Sequence, residues 1–223
     1  MVHVKSRCAH RRGKPPQISL SQVVYDHLLE KLMGNEIAPG DLLNRRQIAE
    51  DLNVSVAPVL EAIVQLEADG ILESIPRKGT RVCGMRMEDL RGQFILREAL
   101  ECQAARIYCG RSVLEHYATL EHLAVSANKG YRDIRVSWNV ESEFHTALVR
   151  LSGIPVLISA YQHVMCKKMF MAIQLYQAAH AEVMSDDHLD LLRALAKAEP
   201  DQAAELMRHH MRYGRETLFQ YLP

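Results

Sequence analysis

The chain has 223 residues, in which 27 lysines and arginines balance 27 aspartates and glutamates, so its formal charge is zero with the 11 histidines neutral. At 48% hydrophobic and 24% charged residues it has the composition of a soluble globular protein, and its balance argues against a strongly basic nucleic-acid coat or an acidic tail protein. No segment approaches the roughly 18 consecutive apolar residues of a membrane span, no apolar stretch follows the basic N-terminus to make a secretory signal, and scarce glycine and proline favour a mainly helical protein.

Five cysteines, at positions 8, 83, 102, 109 and 166, show no C-x-x-C spacing; they read as reduced thiols of a cytoplasmic protein. The zero charge is unevenly distributed. Residues 1–16 carry Lys5, Arg7, Arg11, Arg12 and Lys14 with no acid, beside Gly13, Pro15 and Pro16. This predicts a flexible basic tail that orders on a partner, or else a leader with none. Residues 17–87 hold seven bases and ten acids, and residues 88–223 fifteen and seventeen.

From Ser19 the pattern is helical, with Val24, His27, Leu28 and Met33 near one stripe and Gly34 as a stop. Pro39-Gly40 marks a turn. A short helix over residues 45–52 leads through a tight connection to a second helix. Ser55 is its expected N-cap, Pro58 fits its first turn, and Val59, Ala62, Ile63 and Leu66 form its buried face before Gly70. The period then changes: residues 71–75 and 80–83 pair as two short strands across Pro76-Arg77-Lys78-Gly79. Three helices and a basic-tipped hairpin over residues 17–84 predict a winged helix-turn-helix with a small β-hairpin wing.

Beyond a linker at 85–88, residues 89–223 carry only helix signals, at about 88–110, 112–128, 131–152, 154–179, 185–198 and 200–221. The expected fold class is mainly α, the winged helix being followed by an all-α antiparallel six-helix bundle. Three of these helices hold polar residues within apolar stripes. Glu141 and His145 stand side by side with Trp138, Leu148 and Leu151, His188 joins Leu191, Leu192 and Leu195, and His210 aligns with Ala203, Leu206 and Met207. A single histidine on such a face is more often a satisfied core residue than a ligand. Three imidazoles and a carboxylate aimed at one interior make a divalent-metal site the leading reading: zinc or nickel first, manganese or iron after them.

The run Val24-Tyr25-Asp26-His27-Leu28, the stretch Ile37 to Leu43, Arg46-Gln47-Ile48-Ala49-Glu50-Asp51-Leu52-Asn53-Val54-Ser55 with Pro58-Val59, and Leu66-Glu67-Ala68-Asp69-Gly70-Ile71-Leu72 closely resemble the DNA-binding domain of GntR-family transcription regulators. Leu96-Arg97-Glu98-Ala99-Leu100-Glu101 and Glu143-Phe144-His145 are similar to the helical ligand-sensing (FCD) domain of the FadR subfamily, and six helices to its VanR-like group. The resemblance implies a metal site of an Asp and His four apart with two later histidines. Here Glu141, His145, His188 and His210 fall in register, with Glu in place of Asp. It further implies small organic acids as effectors. A metal held by three histidines has open positions to orient a carboxylate metabolite, and Arg97 could complete that clamp or be paired at the surface with Glu98 or Glu101.

In a helix-turn-helix the start of the second helix reaches base edges while flanking groups hold phosphates. Ser55, Val56, Ala57 and Leu60 occupy the reading positions, and Arg45, Arg46, Arg77, Lys78 and Gly79 the flanks. Family members usually carry arginine where Val56 and Leu60 stand, and arginine–guanine contacts are worth about 1 to 3 kcal/mol of discrimination. Base readout is therefore expected to be weak, altered or lodged elsewhere, and Gly79 to permit the wing turn or approach a phosphate. The leading reading is a ligand-responsive regulator, a repressor by family habit, acting on double-stranded operator DNA as a homodimer without membrane attachment. The alternatives are a metal-binding helical dimer with a degenerate DNA head and a metal-dependent hydrolase; no nucleophile motif, phosphate loop or placed general base supports the latter, so no enzymatic activity is expected.

Overall fold

The computed structural model describes residues 19–84, 86–129, 131, 133–179 and 187–219; the basic tail expected over 1–16 lies outside them. The first two helices start on side-chain caps. The Ser19 hydroxyl accepts the Gln22 N–H at 3.1 Å before α1 (Leu20–Met33), and the Asn44 side chain accepts those of Arg46 and Gln47 before α2 (Arg45–Asp51). Helix α3 (Val56–Ala68) begins after Ser55, whose backbone is extended, but the Ser55 side chain makes no cap hydrogen bond. That corrects the expected cap, and Pro58 gives the reason: it stands at the third helical position, where a capped N–H would otherwise sit, and it has none to donate.

Val24, Leu28 and Leu32 of α1 pack against Val59, Ile63 and Leu66 of α3, all essentially buried. Strands β2 (Leu72–Ile75) and β3 (Gly79–Val82) pair antiparallel, Leu72 opposite Val82 and Ile75 opposite Gly79. A third strand, β1 (Leu42–Leu43), lies on the other side of β3 and makes the wing a three-stranded sheet. Two residues are too few for any periodicity to reveal it. At the wing tip Arg77 and Gly79 have φ of 65° and 107°, so glycine is needed there for the turn itself.

The rest is helical: α4 (Met87–Tyr108), α5 (Arg111–Glu115), α6 (Tyr117–Ala127), α7 (Ile134–Arg150), α8 (Pro155–Ala179), α9 (His188–Leu195) and α10 (Pro200–Phe219). The single helix expected over 112–128 is broken at His116, giving seven described segments where six were expected. Its backbone leaves the helical region, and its Nδ1 lies 2.9 Å from the Ser112 carbonyl, the group its own N–H would hold in a continuous helix.

Two apolar cores result. The first belongs to the winged helix but also takes Leu90 and Phe94 of α4, Trp138 of α7, and Phe170 and Met171 of α8. The second lies deeper in the bundle, around Tyr108, Leu120, Phe144, Tyr161, Leu192 and Met207. A polar cluster ties the domains together. The Tyr25 hydroxyl donates to Asp69 at 2.6 Å and lies 3.4 Å from the Cys166 thiol, and His163 is 3.5 Å from Asp69. Asp69 is the C-cap of α3, and His163 and Cys166 belong to α8. Cys83, Cys102, Cys109 and Cys166 are free thiols.

Candidate metal centre and nucleic-acid interface

Helices α4, α7, α9 and α10 converge on one cluster, buried except for the half-buried Glu141 and His210. From α7 come Glu141 and His145, one turn apart; from α9 comes His188; from α10, His210; and from α4, Arg97 and Glu101. His209, next to His210 in the chain, is exposed and takes no part. One ring nitrogen from each of His145, His188 and His210 lies within 4.8 Å of the other two. The Nε2 atoms of His145 and His210 are 3.3 Å apart. Two nitrogens each 2.0–2.1 Å from a tetrahedral ion would stand about 3.3 Å apart, so this pair has the spacing of two ligands of one such ion.

The far nitrogens are held. His145 Nδ1 lies 2.6 Å from Glu101 Oε2, and His188 Nδ1 lies 2.9 Å from the side-chain Oδ1 of Asn128. An imidazole anchored at one nitrogen presents the other in a fixed direction, the usual support of a metal-ligating histidine. The carboxylate of Glu141 lies 2.6 Å from His188 Nε2 and 3.3 Å from His145 Nε2, and accepts a 3.2 Å bond from Arg97 Nη2. The extra methylene of Glu relative to Asp thus carries the carboxylate across to both imidazoles.

Burial works against the charge of every member, and the partners outweigh it in most. Burial would raise the carboxyl of Glu101, but Arg97 and His145 bring it down to about 2. Glu141 is likewise held well below the usual carboxylate range by His145 and His188. Burial would deprotonate His145, but Glu101 and Glu141 on either side push its pKa up. His210 goes the other way, down to about 3, through burial and the neighbouring His145. It is a neutral donor at physiological pH, as ligation requires.

The donor set therefore fits a divalent cation: three imidazoles around a common point, two of them braced at their outer nitrogens, with the Glu141 carboxylate beside His145 and His188. Arg97 is paired with Glu101, a partner named in the second of its two readings, but in the interior and not at the surface. It is only 4% exposed, and its guanidinium donates to Glu101 from Nε as well as to Glu141. Glu101, Asn128 and Tyr161 were not legible as members. The only signal for Glu101 was its four-residue spacing from Arg97. Tyr161 of α8 is buried with its hydroxyl raised well above its ordinary range by burial and by Glu101.

At the other end of the molecule, a cleft of 510 Å³ between α2 and α3 brings Arg46 beside Asn53, Ser55 and Val56. Val56 and Leu60 are each 39% exposed and Val64 61%, one outward stripe of α3; Ala57 is exposed beside them. Arg46 is exposed on α2, and Arg77, Lys78 and Gly79 at the wing tip. Arg45 differs: half-buried, it donates from Nη2 to the buried Thr80 hydroxyl at 2.7 Å and so ties α2 to the wing.

Residues 20–82 match the family model for bacterial regulatory proteins of the gntR family, and residues 94–213 the FCD domain. The HTH-type transcriptional repressor RspR of Escherichia coli K12 is 22% identical over 92% of this chain and 91% of its own length. A probable D-xylose utilization operon transcriptional repressor of Paenarthrobacter nicotinovorans is 26% identical over 86% of each. Among solved structures, E. coli McbR/YncC superposes with a TM-score of 0.67 at 22% identity, covering 92% of this chain and 99% of that one; a GntR regulator from Rhodococcus sp. RHA1 reaches 0.66 at 19%, covering 90% and 97%. Among the described residues no helix is long and apolar enough to cross a membrane.

Proposed function

The chain belongs to the GntR family of bacterial regulatory proteins with an FCD domain, a transcription regulator and not an enzyme, and from that premise we propose that it is a cytoplasmic, homodimeric repressor whose affinity for an operator responds to a divalent metal and a small organic acid held in the helical bundle. The observation that carries the effector half is the braced donor set. His145, His188 and His210 share a centre with Glu141 beside the first two, and Glu101 and Asn128 hold the outer nitrogens of His145 and His188. When bound, the metal would supply a fixed positive charge with open positions for a carboxylate oxygen. Arg97 Nη2, shared with Glu141 over 3.2 Å, is the cation nearest to complete that recognition.

Helix α8 gives a route to the head. Tyr161 is buried in the bundle core within reach of the Glu101 charge, and five residues on Cys166 meets Tyr25 beside Asp69, the end of α3. An effector that favours one position of α8 shifts the population of DNA-head arrangements, provided its affinity differs between them. The homodimer is supported by a face of α4 that stays exposed over four turns, made of Gly92, Ile95, Leu96, Ala99, Gln103 and Ile107; Ile95 is 66% exposed. A two-fold dimer matches paired half-sites on DNA. The repressor sense follows the relatives' names.

Arg46, Arg77 and Lys78 are assigned to phosphates, with Arg45 bracing the wing. Ser55, Val56, Ala57 and Leu60 are assigned to the groove, and Gly79 to the wing turn. A degenerate head is the second reading, favoured by the apolar outer face of α3. Binding of the full-length protein to operator and random duplex across a salt titration separates the two. A sequence-specific head binds operator at least about a thousandfold more tightly, and equal affinity for both duplexes overturns operator recognition.

A further inference from the structure

The outer face of α3 has an unusual chemical character for a groove-reading helix. Over its first two turns the exposed positions are Val56, Ala57, Leu60 and Glu61, with Val64 extending the apolar stripe. Beyond the Ser55 hydroxyl at the helix start, these turns offer no side-chain hydrogen-bond donor. The major-groove edge of guanine presents only acceptors, N7 and O6. Pressed against this face those acceptors would lose water and gain no partner, which is unfavourable. The thymine edge carries a C5-methyl group, and a methyl against valine, alanine and leucine is a favourable contact. Glu61 adds an acceptor, suited to an exocyclic amino group.

The surroundings say that nucleic acid is what covers this stripe. Arg46 shares a cleft with Ser55 and Val56 at the start of the stripe, Arg77 and Lys78 are exposed at the wing tip of the same domain, and none forms a salt bridge within the described residues. Unpaired cations beside an apolar strip match phosphates beside a groove floor. Val56 and Leu60 lie one turn apart, about 6 Å along the helix axis. That rise spans about two base steps of 3.4 Å.

We propose that α3 reads its half-site by thymine methyl groups, with Val56, Ala57 and Leu60 as the specificity-determining residues and with guanine excluded from the contacted steps. This rests on the reading of the head as a sequence-specific operator binder. The test begins by selecting bound sequences from a random duplex library with the full-length protein, then replacing each enriched thymine singly by deoxyuridine, which removes the methyl and keeps the pairing. The expected result is enrichment of thymine at adjacent or next-adjacent positions and a loss of about fourfold per methyl removed at one or two thymines of each half-site. Leu60→Ala should abolish the uracil penalty at one of them without changing the salt dependence; as Leu60 is exposed, this truncation leaves the core intact. Enrichment of a sequence indifferent to deoxyuridine overturns methyl readout but leaves operator binding standing. Failure to enrich any sequence overturns both.

Discussion

The bundle centre and the outer face of α3 are opposite solutions to presenting chemistry. At the centre the charged groups are buried or half-buried and answer one another: His145 lies between Glu101 and Glu141, Arg97 between the same two carboxylates, and His188 between Glu141 and Asn128. On α3 the presented side chains are exposed and apolar, and have no partner until DNA supplies one. The centre is prepaid in folding energy, since its charges are desolvated whether or not a ligand is present. The α3 face costs the fold nothing and gains only on binding. Substitutions at the centre should therefore register in stability first, and substitutions on α3 in recognition alone.

The largest expected effect is at Glu101. Replacing it by alanine leaves Arg97 and His145 buried without their shared counter-charge, and breaking a buried pair in this way costs about 3–5 kcal/mol. Denaturant unfolding of metal-free protein measures it. Leu60→Ala in the same assay should change stability by less than about 0.5 kcal/mol, as surface substitutions do. Comparable costs for the two would mean that the centre is not a desolvated charge network. Next in size is the metal. At a hundredfold excess of free ion over its Kd, binding to the native state alone adds about 2.7 kcal/mol. For a chain of this length that raises Tm by about 5 to 10 °C. Zinc and nickel salts added to tag-free protein are expected to give this rise, and His210→Ala to remove it. His210 is the cleaner variant, since a neutral imidazole leaves no buried charge behind. An equal rise in both proteins would exclude His210 as a ligand.

The same contrast explains what could be read before the structure. Glu141, His145, His188 and His210 announce themselves because imidazoles at helical spacing are rare on an apolar stripe, and the structure brings all four together. Trp138, on the same predicted stripe, instead enters the core shared with the winged helix, because α7 is long enough to serve both cores. Asn128 was illegible, and Glu101 legible only as a surface partner of Arg97, because a charged or amide residue at an ordinary position signals a solvated surface. Their role comes from partners 44 and 60 residues away. The winged helix was legible from caps, stops and the change of period, whereas β1 is defined only by pairing with β3, and the break at His116 by a side chain competing for a backbone carbonyl.

The smallest expected effect sharpens the comparison within the head itself. Asn44 and Ser55 occupy equivalent places, each one residue before a helix of the helix-turn-helix motif, but only Asn44 caps its helix. Asn44→Ala should cost about 1 kcal/mol, the usual worth of an N-cap. Ser55→Ala should change stability by a few tenths at most, because Pro58 has already removed an N–H that its hydroxyl would serve. An uncommitted hydroxyl beside Arg46 and Val56 is available to a phosphate or a base edge. The two alanine variants should then exchange rank between assays, Asn44→Ala being worse in thermal unfolding and Ser55→Ala in operator affinity at a temperature where both are folded. If Ser55→Ala instead matches Asn44→Ala in unfolding and leaves affinity unchanged, Ser55 serves the helix after all, and groove contact at the start of α3 falls to Val56, Ala57 and Leu60 alone.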